Sequence, residues 1–214
     1  MSRFPIHVRL VIVPLMLLCA AGTIGCSMIE SPSDVVERAG TALEKKDWPT
    51  YVSCFTPETH EAAARQSIQN SLMVEMGRDL ATLGGPVVSK EVDAKAKPLY
   101  DLLAKHGITK ERLSELAKMP NGAPKEQAIS ETVAAIPDKE AFMADMIAYG
   151  DQARSQGAPP PMNVAGEIKS VEVQGDRATV TTTATVDGRS FDTTVNLRRT
   201  ANGWKIDMAP MFGG

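Results

Sequence analysis

The chain has 214 residues, with 23 Lys plus Arg against 26 Asp plus Glu, and its net charge of −3 excludes the dense basic surface that nucleic-acid binders carry. At 43% hydrophobic and 23% charged residues, it is neither a disordered, a collagenous nor a polytopic membrane chain. A chain of this length can bury about 70% of its unfolded surface in one core, so one domain with an insertion is expected rather than two.

Residues 1–25 contain Arg3 and Arg9 and no acid, then an apolar run from Leu10 to Ala21 broken by Pro14, then small residues up to Cys26. This is the layout of an export signal. A run of about a dozen apolar residues falls short of the roughly 20 that a spanning helix needs, which leaves a permanent transmembrane anchor as the weaker alternative. Thr23-Ile24-Gly25-Cys26 resembles the lipobox of bacterial lipoproteins, with Thr23 where Leu is usual. The resemblance implies cleavage before Cys26, acylation of its sulfur, palmitate included, and a membrane-anchored exported product. Ser27 follows the cysteine where Asp is the retention signal in bacteria with two membranes, so the resemblance favours the outer membrane over the inner. The competing reading is an ordinary secretory signal.

With Cys26 acylated, Cys54 is the only thiol of the mature chain and no internal disulfide can form; without acylation, a Cys26–Cys54 bridge is open. Cys54 sits among Trp48, Tyr51, Val52 and Phe55, which share one helical face. No basic group lies close in sequence to activate it, and a buried, inert thiol is expected. Four residues separate Cys26 from Ser31, which at roughly 3.5 Å each hold the folded body within about 20 Å of the anchor.

Ser31-Pro32-Ser33-Asp34 opens the first helix with a capping box and a proline in its first turn. Val35, Val36, Ala39 and Leu43 make its apolar stripe. Asp47 caps a short second helix carrying Trp48 to Phe55. Thr56-Pro57-Glu58 starts a long third helix of about seven turns, where Ala64, Ile68, Leu72, Met76, Leu80 and Leu83 are expected to face inward until Gly84-Gly85 stops it. Ser89 to His106 reads as a fourth, with Val92, Ala96, Leu99 and Leu103 inward, Pro98 as a kink and Gly107 as its stop. Ile108 and Leu113 staple the start of a fifth around the cap Thr109, and Pro120-Asn121-Gly122 ends it. Two more helices span about 125–136 and 139–149, the second capped by Asp138 with Phe142, Met146 and Tyr149 on one face.

After the stiff linker Gly157-Ala158-Pro159-Pro160-Pro161, the apolar period shifts to two. Ile168, Val171 and Val173, then Ala178, Val180, Thr182, Ala184 and Val186, then Phe191, Thr193, Val195 and Leu197, then Trp204, Ile206 and Met208 define one face. Turns fall at Gly175-Asp176, Asp187-Gly188 and Asn202-Gly203. The fold class is α+β: N-terminal helices packed on one face of a four-stranded antiparallel meander at 164–208, with a helical insertion at 57–156.

The capped first helix, the Lys46-Asp47-Trp48-Pro49-Thr50-Tyr51 segment and the closing Asn202-Gly203-Trp204-Lys205-Ile206 resemble the nuclear transport factor 2-like superfamily, over about 31–58 and 164–208. The resemblance implies a cone-shaped fold that hosts isomerase-like enzymes and also many binding domains without chemistry; fold alone does not choose between them. Trp48, Tyr51, Phe55, Thr182, Thr193 and Trp204 are the residues expected to line a pocket in such a cone.

No catalytic residue is assigned. His60-Glu61-Ala62-Ala63-Ala64 begins like a zinc-protease signature but has Ala64 where the second ligand must stand. His60 and His106 are the only histidines after residue 25, neither is paired, and no metal or other cofactor is assigned. Asp192 and Asp207 fall on the polar face by alternation. The expected activity is non-catalytic binding of an envelope protein or a small apolar ligand, with an isomerase- or hydrolase-like enzyme and a purely structural envelope component as rivals. The numerous methionines, Met73 and Met76 among them, are expected to fill the core.

Overall fold

Five side chains set helix starts by accepting from backbone N–H groups that the first turn leaves unpaired. Ser31, Asp47, Thr56, Thr109 and Asp138 take those of Asp34, Thr50, Thr59, Arg112 and Ala141 at 2.9–3.3 Å. Asp34 also accepts from Ser31 N at 2.8 Å, completing the capping box. The computed structural model describes residues 30–154, 166–186 and 189–209. The helices are α1 (Pro32–Glu44), α2 (Trp48–Ser53), α3 (Pro57–Ala81), α4 (Pro86–Lys105), α5 (Lys110–Lys118), α6 (Ala123–Ala134) and α7 (Lys139–Arg154), with a 3-10 turn at Thr82–Gly84. Four strands follow: β1 (Ile168–Gln174), β2 (Arg177–Val186), β3 (Arg189–Thr200) and β4 (Gly203–Ile206), in the antiparallel order β1-β2-β3-β4. The α+β class and the meander stand as the alternation predicts.

Ile168 and Val171 lie an odd number of residues apart, which in a regular strand sends them to opposite faces. The register shifts between Ile168 and Ser170, so that Ile168 pairs with Thr182 and Val171 with Val180. This bulge returns both to the apolar face. Over that face lies α1: Val35, Val36 and Ala39 form one buried cluster with Val180, Val195, Leu197, Trp204 and Ile206. Trp204 is only 6% exposed. Leu43, expected in the same stripe, is half-buried.

The helix does not reach the whole sheet. Val171, Val173 and Phe191 were expected inward but remain 38%, 54% and 45% exposed, because the edge strand and the far end of β3 extend past the 13 residues of α1.

The helices after Thr56 do not cover the sheet; they bury a core of their own. Ile68, Leu103, Leu113, Leu116, Ile129, Val133 and Phe142 pack together with little or no exposure. Burial of each such side chain contributes roughly 1.5–3 kcal/mol. The sheet and the bundle meet where α2 packs on α7, with Met143 reaching the sheet cluster and Lys46 Nζ paired to Asp151 Oδ2 at 2.8 Å.

A main-chain clasp ties the two together. Ile206 N donates to Cys54 O at 2.8 Å and Thr56 N to Ile206 O at 3.0 Å, a parallel bridge between Phe55 and Ile206. The signal segment, Cys26, the Pro-rich linker and the Asp187-Gly188 turn lie outside the described residues.

Two stability predictions follow from this packing. Trp204→Ala should cost about 3–5 kcal/mol through lost transfer energy and the cavity left behind, whereas Thr194→Ala, on the exposed face, should stay within about 0.5 kcal/mol; equal urea midpoints for the two variants would refute a one-sided sheet. At Gly166 a Cβ would stand 1.4 Å from the Thr183 carbonyl oxygen, so Gly166→Ala should lower the midpoint by the equivalent of about 1–3 kcal/mol as β1 shifts off β2.

Candidate functional site

The six residues expected to line a pocket divide between packing and partial exposure. Phe55, Thr182 and Trp204 are buried, while Trp48, Tyr51 and Thr193 are half-buried. Tyr51 and Phe55 meet edge to face with ring centroids 5.0 Å apart, and both belong with Trp204 to the cluster beneath α1. Burial pushes the Tyr51 phenol up to about 12. Thr182 and Thr193 are cross-strand partners, and the fully buried Thr182 hydroxyl has no hydrogen-bond partner among the described residues. Tyr51, Phe55 and Trp204 thus pack between α1 and the sheet.

Phe55 also borders a cleft of about 460 Å³ between the start of α3 and the β3–β4 hairpin, together with Glu58, His60, Arg198 and Lys205. Its charges are largely engaged. Arg198 pairs with Glu58 and lies 3.7 Å from Asp207, and Lys205 Nζ donates to Ser53 O at 2.5 Å. His60 Nε2 sits 3.0 Å from Val52 O. Cys54 is buried as expected: its thiol donates to Thr50 O at 3.3 Å, and burial pushes its pKa up, opposite to what a nucleophile needs.

Two polar pairs hold the helical bundle. The buried Glu75 carboxylate accepts from Tyr100 OH at 2.6 Å and from Arg78 Nη2 at 2.5 Å, joining α3 to α4. Burial, reinforced by that bond to Glu75, pushes the Tyr100 phenol up. His106 Nε2 lies 2.8 Å from Asp145 Oδ2, with its ring edge-on to Phe142. The Lys105 ammonium, bonded to the same oxygen at 2.6 Å, is the chief cause that holds Asp145 below its ordinary 3.8; His106 adds to it and burial opposes it. Both arrangements lock helices together, and neither presents a free acid, base and nucleophile around one open space. Among the described residues, no group of His, Cys, Asp and Glu is placed to hold a metal ion.

The unexplained feature is an apolar arm. Beyond Glu75 no residue of α3 is buried, and α4 has none before Ala96. The 25 residues of α3 span about 38 Å at 1.5 Å per residue, whereas the 9 residues of α5 span about 14 Å, so the α3–α4 hairpin outruns the helices that pack on its root. Met76, Leu80 and Leu83, expected to face inward, are 46%, 68% and 84% exposed, with Met73, Val87 and Val88 exposed beside them. Met73 and Met76 are therefore not core filler. They open onto a cleft of about 470 Å³ at the α5–α6 turn, bordered by Met119 and Pro120.

The spacing along α3 assigns Met76, Leu80 and Leu83 to the core and gives Val87 and Val88 no role. The alternation of steps of three and four from Met73 to Leu83 was the available signal. No family model matches the chain, and comparison with curated proteins and with solved structures finds no match. No helix among the described residues is long and apolar enough to cross a membrane.

Tyr100→Phe should leave one Glu75 oxygen buried without its donor and lower stability by about 1–3 kcal/mol in urea titration. Asp145 has a depressed pKa in the folded state, so its contribution is present above the unfolded value and fades as pH falls through the folded one. The stability gap between the wild type and Asp145→Asn should therefore be widest above about pH 5 and close below 3.8. A gap that stays constant from pH 7 to pH 3 would contradict the ion-pair assignment.

Proposed function

We propose that the protein is an exported lipoprotein, tethered through acylated Cys26 to a membrane on its periplasmic or extracytoplasmic side, whose α+β body is a non-catalytic binding domain that docks protein surfaces through the α3–α4 arm. The single observation that carries the binding reading is the exposure of Met73, Leu80, Leu83 and Val87, each at least 67%, on one contiguous hairpin. Soluble monomers rarely leave apolar patches of that kind unless something covers them.

The tether rests on the Thr23–Cys26 lipobox and on the short distance from Cys26 to the Ser31 cap. That distance keeps the body near the bilayer and leaves docking, rather than diffusion, as its mode of action. The resemblance to nuclear transport factor 2-like lipoproteins is consistent with this reading, since many domains of that fold bind without chemistry.

Intact-mass spectrometry of the membrane-extracted protein tests the tether: a chain beginning at an acylated Cys26 is expected, and a mature chain beginning elsewhere removes it. A photo-reactive side chain placed at Val87 in cells tests the docking arm. Irradiation should give a discrete protein adduct that disappears with Leu80→Glu, and no adduct from any position on the arm would contradict the reading.

A further inference from the structure

The arm's apolar residues are ordered in a way that says what covers them. Met73, Met76, Leu80 and Leu83 are separated by steps of three, four and three, the spacing that keeps knobs on one straight helical seam and fits them into a facing helix.

Area points the same way. With exposures from 44% to 84%, Met73, Met76, Leu80, Leu83, Val87 and Val88 together present roughly 700 Å² of surface, near the ~800 Å² that each side contributes to a standard protein interface. The arm supplies most of one side of such an interface by itself.

Charge then selects among helical partners. Residues 73–97 carry Arg78, Lys90, Lys95 and Lys97 against Glu75, Asp79, Glu91 and Asp93, so the arm has no net charge. Membrane-surface helices rely on an excess of Lys and Arg, and this arm has none. A surface of zero net charge meets another copy of itself without net repulsion, and a two-fold axis presents the same patch from both sides.

Gly77 fits the same picture. A glycine inside a helix weakens it, and a Cβ built at Gly77 would meet nothing within 4 Å inside the protomer. No contact among the described residues requires glycine there. It lies beside the seam, four residues from Met73 and three from Leu80, where a bare backbone admits a second helix at close range.

We infer that the α3–α4 arm is a self-association surface, packing against the same arm of a second copy of this chain to form a four-helix contact about a two-fold axis. The inference rests on reading the arm as a docking surface and names its occupant. Paired arms would hold two tethered bodies together at one membrane.

Sedimentation velocity of the full protein, purified in detergent as it accumulates in its source cells, tests this. Twice the mass of one chain is expected at about 0.1 mM, a concentration at which a micromolar dimer is essentially complete. Leu80→Glu with Leu83→Glu should raise the dissociation constant at least 100-fold; both side chains are exposed, so the circular-dichroism melt of the variant should match the wild type and exclude misfolding as the cause. A wild type that stays single-chain at that concentration, or a dimer that the double substitution leaves intact, overturns the inference. The Val87 adduct separates the two claims. An adduct at twice the chain mass supports self-association. An adduct to a different protein overturns self-association while leaving the docking role in place, and an adduct to lipid overturns both.

Discussion

Everything in this fold depends on a few main-chain hydrogen bonds at Ile206. The last strand is too short to stabilise itself, with four residues from Gly203 to Ile206. It gains a second neighbour in the turn between α2 and α3, where Ile206 pairs with Cys54 and Thr56. Met208 N adds a bond to Thr59 Oγ1 at 2.9 Å, across a sequence separation of 149 residues. Closing so large a loop costs entropy that grows only slowly with length, so a bundle of five helices can be inserted between the clasped segments at little extra cost. The clasp also covers the outer edge of β4, which would otherwise expose unpaired backbone groups.

From that clasp the two cores diverge. α1 and α2 lie on the sheet side of it, and Val35, Val36 and Ala39 of α1, with Phe55 just after α2, close over Trp204 and Ile206. α3 starts at the clasp and leads away, so the apolar residues of α3 to α7 find one another rather than the sheet. The arm is the far end of the same geometry. Once α3 has passed the helices that pack on its first half, its remaining apolar residues stay exposed among the described residues, and Glu75 with Tyr100 and Arg78 marks where support ends.

Caps, glycine stops and strand alternation placed the helix starts to within a few residues and the four strands in their antiparallel order, because each depends on a handful of neighbouring atoms. The Ile168–Val171 spacing concealed a bulge, which only pairing with β2 resolves. Position along α3 was harder to read for a geometric reason. A step of four residues turns a helix by about 400°, so a stripe built from successive fours drifts about 40° per step. From Ala64 to Leu80 that drift reaches about 160°, which carries a line of apolar residues from the core to solvent. For the residues expected to line a pocket, alternation shows which ones face inward, but not that Phe55 and Trp204 would be packed beneath α1.

The clasp at Ile206 is part of the stable core and, beside the α2–α7 contact, joins the sheet unit to the helical bundle. Native-state hydrogen exchange, read at individual amides, tests it most directly. The N–H groups of Thr56 and Ile206 should exchange as slowly as those of Val180 and Val195 in the sheet interior, because opening the clasp requires unfolding the sheet unit. If Thr56 and Ile206 exchange freely while the strand interiors stay protected, the clasp is peripheral and the architecture is held together some other way.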